Sequence, residues 1–167
     1  MSFLIIVFVV LSLVGSVMWV MPTKRDKHLA RLRMQAIKLG FQVQLTKLIF
    51  PREKGEMEPR QVSTVAYRLL RGKITQDDHH NWQSWRVAKC EANASEGLID
   101  GWAWAIGERT LQSEKIETLN AILAEMPGDV IGVESTPVHL SVFWSELEAS
   151  DMQEIKQLLE QLKANTI

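Results

Sequence analysis

The chain has a single cysteine, no phosphate-cradling glycine loop and, over its first 23 residues, no charged side chain at all. One cysteine, Cys90, excludes a disulfide framework, so the fold has to rest on a hydrophobic core. Gly101 and Gly107 bracket an apolar run but form neither G-x-G-x-x-G nor a Walker sequence. The net charge of −1 excludes a general nucleic-acid binder. That near-balance hides a split: residues 22–60 carry 10 basic and 4 acidic side chains, whereas residues 61–167 carry 9 and 16.

The uncharged stretch is itself the strongest local signal. Phe3 to Met21 reads FLIIVFVVLSLVGSVMWVM. Some twenty helical residues rise roughly 30 Å, about the hydrocarbon thickness of a bilayer. No basic residue precedes the run and no A-x-A site follows it, which disfavours a cleaved signal peptide. The expectation is a single-pass transmembrane anchor over residues 1–21. Its basic flank (Lys24, Arg25, Lys27, Arg31, Arg33) predicts an outside N-terminus and a cytoplasmic domain at a bacterial inner membrane. Trp19 fits the membrane interface, and Pro22 ends or kinks the helix.

Residues 22–40 predict a basic juxtamembrane helix, with Leu29, Leu32, Ala36 and Leu39 as its apolar stripe and Gly40 as its stop. Its cations serve topology first, and anionic headgroups of the lipid bilayer or RNA as alternatives. Residues 41–167 predict one α+β domain, a mainly antiparallel sheet with two amphipathic helices. Strands are expected from Phe41 to about Phe50 and over Val62–Leu70, Trp82–Ala88, Trp102–Ile106, Asp129–Glu134 and Val138–Trp144. The helices carry the stripes Ile116, Leu119, Ile122, Leu123, Met126 and Met152, Ile155, Leu158, Leu159, Leu162. Ser150 and Gln153 suit a capping box for the second. From residue 102 the order β-α-β-β-α supplies five of the six elements of a ferredoxin-like unit, an upstream strand supplying the sixth.

Few residues suggest chemistry. Asp77, Asp78, His79 and His80 are the densest ligand-type cluster, but adjacent residues rarely converge on one ion and no second ligand pair occurs. Cys90 lies in no nucleophile motif. A membrane-tethered enzyme or metal-binding protein using 77–80 or Cys90 is therefore the alternative reading, not the first, and no catalytic, metal or cofactor residue is assigned. A periplasmic domain of an envelope or pilus machine is a further alternative, which the charge distribution opposes. The tryptophans carry more. Trp82, Trp85, Trp102 and Trp104 are candidates for a protein-partner surface, with burial in the core as the competing expectation. Trp102 and Trp104 share one strand face.

The apolar stretch, Met21-Pro22, Lys24-Arg25-Asp26-Lys27, a short helix and Gly40-Phe41-Gln42-Val43 together resemble the layout of the YajC family of preprotein-translocase accessory proteins. The resemblance covers about residues 1–45. It implies an inner-membrane accessory or assembly subunit associated with a larger complex such as the translocon. The Trp-rich α+β region that follows departs from that family, and no family site transfers.

Overall fold

The computed structural model describes residues 2–72, 82–146 and 152–165, leaving aside the side chains of residues 2 and 17–20. It divides into two units, Met1–Met34 and Gln35–Ile167.

In the first unit, helix α1 (Ser2–Val20) is apolar on all sides, and its side chains from Phe3 to Val14 are exposed. The expected membrane span is not upheld: among the described residues no helix is long and apolar enough to cross a membrane. The transmembrane anchor, the single-pass inner-membrane location and the N-out orientation fall with it. So does the juxtamembrane role of Lys24, Arg25, Lys27, Arg31 and Arg33, which lie on helix α2 (Lys24–Lys38). Trp19 falls among the side chains left undescribed.

The start of α2 is fixed by its own sequence. Thr23 Oγ1 accepts from the Asp26 backbone N–H at 3.2 Å, and Asp26 Oδ2 accepts from the Thr23 N–H at 2.9 Å. This reciprocal box satisfies helix-end donors that would otherwise be unpaired. The Thr23 hydroxyl, which donates to Asp26 Oδ2 at 2.7 Å, and then the Thr23 N–H hold the Asp26 carboxyl below its usual range. The helix ends in the second unit at Gly40, whose φ of +94° suits glycine, while Phe41 N–H donates back to Ala36 O at 3.1 Å.

The rest of the second unit is α+β. Six strands, β1 (Gln42–Ile49), β2 (Gln61–Leu70), β3 (Trp85–Lys89), β4 (Trp102–Ile106), β5 (Val130–Ser135) and β6 (His139–Trp144), form one antiparallel sheet in the order β1-β2-β6-β5-β3-β4. Helices α3 (Ser113–Glu125) and α4 (Met152–Ala164) complete four helices among the described residues. Ser150, half of the expected capping box, lies outside the described residues. The ferredoxin-like expectation fails on strand order. In that unit β4 would border the β5–β6 hairpin; here β3 stands between β4 and β5. The segment β4–α3–β5 is instead a split β-α-β, its parallel strands separated by an antiparallel one.

Register assigns the two sides of the sheet. On the helix side stand Val65, Tyr67, Leu69, Trp85, Val87, Trp102, Trp104, Val133, Leu140, Val142 and Trp144, all buried. Leu119, Ile122 and Leu123 of α3 and Met152, Ile155, Leu158, Leu159 and Leu162 of α4 are buried too and close this layer. Each full burial contributes roughly 1.5–3 kcal/mol. The far side carries a separate cluster with no helical member: Leu48, Phe50, Ala66, Ala88 and Phe143, with Val62, Cys90 and Ile131 against it. Guanidinium groups lie over two of its rings, Arg60 at 4.3 Å from Phe50 and Arg86 at 5.7 Å from Phe143.

One glycine is demanded by close approach. Gly107 follows β4 at φ +83°, and a Cβ there would stand 2.8 Å from Trp85 Cβ and 2.9 Å from Ser84 O. Gly40 is equally left-handed but open. Gly107→Ala is therefore expected to lose about 1–3 kcal/mol more stability than Gly40→Ala, because overpacking against backbone adds to the shared conformational strain. Chemical denaturation of the two variants measures the difference.

Candidate functional site

The tryptophans divide. Trp85, Trp102 and Trp104 are 1%, 4% and 3% exposed. Trp85 and Trp104 meet edge-on at 6.3 Å, and Trp104 Nε1 donates to Glu96 O at 3.0 Å. These three belong to the core and offer no partner surface. Their even spacing put Trp102 and Trp104 on one side as the sequence predicts, and that side is the one the helices cover. Trp82 precedes β3 and is half-buried under the Arg71 guanidinium, 4.2 Å from its ring. Arg71 also donates to Thr136 O at 2.9 Å and Ser135 Oγ at 2.8 Å, and burial pulls its pKa down to about 10.

Cys90 sits beside the far-side cluster, where burial, then the Glu53 carboxylate, push its thiol up to about 11, with Arg60 opposing. That is the direction opposite to an activated nucleophile. The Asp77–His80 cluster lies outside the described residues. Among the described residues no three His, Cys, Asp or Glu side chains come together as a metal set.

A polar row absent from the sequence reading crosses the far side. Arg68, Ser141, Glu134 and Arg86 are successive cross-strand partners on β2, β6, β5 and β3. Arg86 Nε donates to Glu134 Oε1 at 2.9 Å, and His139 Nε2 stands 3.7 Å from Glu134 Oε2. Burial and the Arg68 charge hold His139 below its ordinary pKa against the pull of Glu134. Glu134 is thus spoken for. Arg68 has no carboxylate partner among the described residues; its Nη1 donates to Gln44 Oε1 on β1. Register across strands far apart in sequence assembles this row, so no local pattern announces it.

The two edges of the sheet differ. The β4 edge is covered by its own chain: Trp104 N–H donates outward to Ala94 O at 2.6 Å. That loop is pinned by Asn120 of α3, which accepts from Ile99 N–H at 3.0 Å and donates to Gly97 O at 2.7 Å. The β1 edge is open. Among the described residues β1 pairs with β2 alone, leaving its outward N–H and C=O groups without a strand. On its helix side stand Val43, Leu45, Lys47 and Ile49. Leu45 is 75% exposed and Ile49 44%, although Val65, directly opposite Leu45, is 5% exposed. The sequence alternation predicts Leu45 inward with Phe41 and Val43. The buried parity instead switches within the strand, from Phe41 at its start to Leu48 and Phe50 on the other side at its end.

Comparison with protein-family models finds no match, and comparisons with curated proteins and with solved structures find none either.

Two outcomes follow. Trp102→Ala and Trp104→Ala should each cost roughly 3–5 kcal/mol in denaturant unfolding, as buried indoles do. Cys90 should react with iodoacetamide at pH 8 on the order of a hundredfold more slowly than an unhindered thiol, its rate still climbing as the pH rises towards 11.

Proposed function

We propose that this chain is a non-catalytic interaction module, an accessory or assembly subunit that takes an extended segment of a partner protein along the open β1 edge. The observation that carries the reading is the contrast between the edges. One is sealed by a loop held from α3; the other presents eight strand residues with exposed leucine and isoleucine. Exposed edges are normally blunted or covered, because their backbone groups template another strand. Strand addition uses those groups for affinity and the alternating side chains for specificity.

The enzyme reading has less behind it. The Cys90 thiol is held in its unreactive form at neutral pH, and Glu134, the best-buried carboxylate of the far-side row, is paired with Arg86. The layout of residues 1–45, which resembles the translocase accessory family, makes a subunit of the protein-translocation machinery the first partner to test.

Site-specific photo-crosslinking in the native cell tests it. A photoreactive residue at position 45 is expected to trap a discrete partner, while the same group at exposed Glu117 on α3 traps none. Leu45→Asp should leave stability within about 0.5 kcal/mol, as surface changes do, and abolish co-purification of the trapped partner. Equal labelling from both positions, or none from position 45, would reject the edge as the binding surface.

A further inference from the structure

We infer that the β1 edge selects an acidic, apolar-alternating extended segment of another protein and disfavours a second copy of itself. This rests on the edge reading above and adds the chemistry of the partner.

A strand added to β1 lies about 4.8 Å outside it, with its side chains alternating between the two sides of the sheet. On the helix side it meets Val43, Leu45, Lys47 and Ile49; on the far side it meets Gln42, Gln44 and Thr46. The charge of that surface has one sign. Residues 35–52 contain Lys38, Lys47 and Arg52 and no acid. Lys47 is exposed, with no ion pair among the described residues. On the far side Arg68 reaches the edge through Gln44, its charge unmatched by a carboxylate. The nearest acid along the chain, Glu53, is held by Arg60 at 2.8 Å. An incoming Glu or Asp therefore finds an unpaired cation on either side of the sheet, and apolar residues between them find Val43, Leu45 and Ile49. Opposite charges across paired strands stabilise the pairing, and like charges oppose it.

The same arrangement works against self-pairing. Two copies joined antiparallel about a two-fold axis normal to the sheet keep their sides, so residues of equal parity face each other. In the three central registers Lys47 then opposes Val43, Leu45 or the partner's Lys47. The first two set an ammonium against an apolar side chain, and the third sets like charges together. A lysine midway along an edge strand is a recognised guard against such pairing.

The test uses the full chain in a mild non-ionic detergent that masks the exposed side chains of α1. The probe is a fluorescein-labelled eight-residue peptide, Val-Thr-Glu-Thr repeated twice, which puts valine and glutamate on the same side of the added strand, compared with its counterpart carrying lysine in place of glutamate by fluorescence anisotropy. The glutamate peptide should bind, weaken as salt is raised, and lose at least about tenfold in affinity with Lys47→Glu. The lysine peptide should bind only Lys47→Glu. Circular dichroism confirms that the variant is folded. Equal binding of the two peptides, binding of the lysine peptide alone to the unsubstituted chain, or binding of neither overturns the inference. Sedimentation showing a dimer that Leu45→Asp dissociates overturns it in favour of a second copy. Crosslinking from position 45 is read independently, so these failures remove the acidic partner without removing the edge as a binding surface.

Discussion

Among the described residues two helices cover six strands, and that shortfall governs most of what this sheet does. Strands lie about 4.8 Å apart, so six are roughly 29 Å wide; two helices, each about 10–12 Å across, cover roughly 20–24 Å. About one to two strands remain beyond their reach. The contrast across the β1–β2 pair has this origin, with Val65 buried and Leu45, directly opposite, mostly in solvent. At the other end the same shortage is met by the chain itself, whose loop after β3 folds over β4 and is tied to α3 through Asn120.

Among the described residues no helix serves the far side of the sheet, which is closed from within. Small residues, Ala66, Ala88 and Gly132, keep the strand surfaces low, and Leu48, Phe50 and Phe143 fill the space above them. A Cβ on Gly132 would stand 3.0 Å from Leu48 and 3.2 Å from Phe143, which shows how near those side chains come to the backbone. Arginines lie over the outer rings where a helix would otherwise sit. This makes the far side a thin layer beside a polar row. Arg86 serves both, with its guanidinium near Phe143 and its N–H groups on Glu134.

Much of the element pattern was legible because it is local. The stripes at 116–126 and 152–162 have helical spacing, the Ser135-Thr136-Pro137 turn joins two strands, and Gly40 ends a helix, each decided by neighbours a few residues away. What was not legible depends on distant partners. The strand order places β3 between β4 and β5, and no periodicity encodes that choice. In β1, apolar residues occur at both parities, Phe41, Val43 and Leu45 against Leu48 and Phe50, so alternation alone could not say which end buries which side. The shared side of Trp102 and Trp104 was readable and burial in the core was one of the two expectations, but the choice between core and partner surface depended on where α3 and α4 settle. The length of the apolar amino-terminal stretch suggested a membrane span that the described helix does not provide. The open edge was missed for a plain reason: a sequence does not say which of its strands lies last.

The position of the β5–β6 hairpin also fixes the order in which the sheet can be completed. It is inserted between β2 and β3, which are successive strands in the chain. During synthesis β1–β2 and β3–β4 can each form as a hairpin, but neither can find its neighbour until residues 130–144 have emerged. Thr64 then bonds to Trp144 O, eighty residues later, and Lys163 reaches back to Leu70 O. Such long closures are slow relative to hairpin formation, and until they occur the inner edge of β2 is as bare as the outer edge of β1. The nascent chain therefore passes through an interval with an extra exposed β-edge, in which mispairing between neighbouring chains competes with folding.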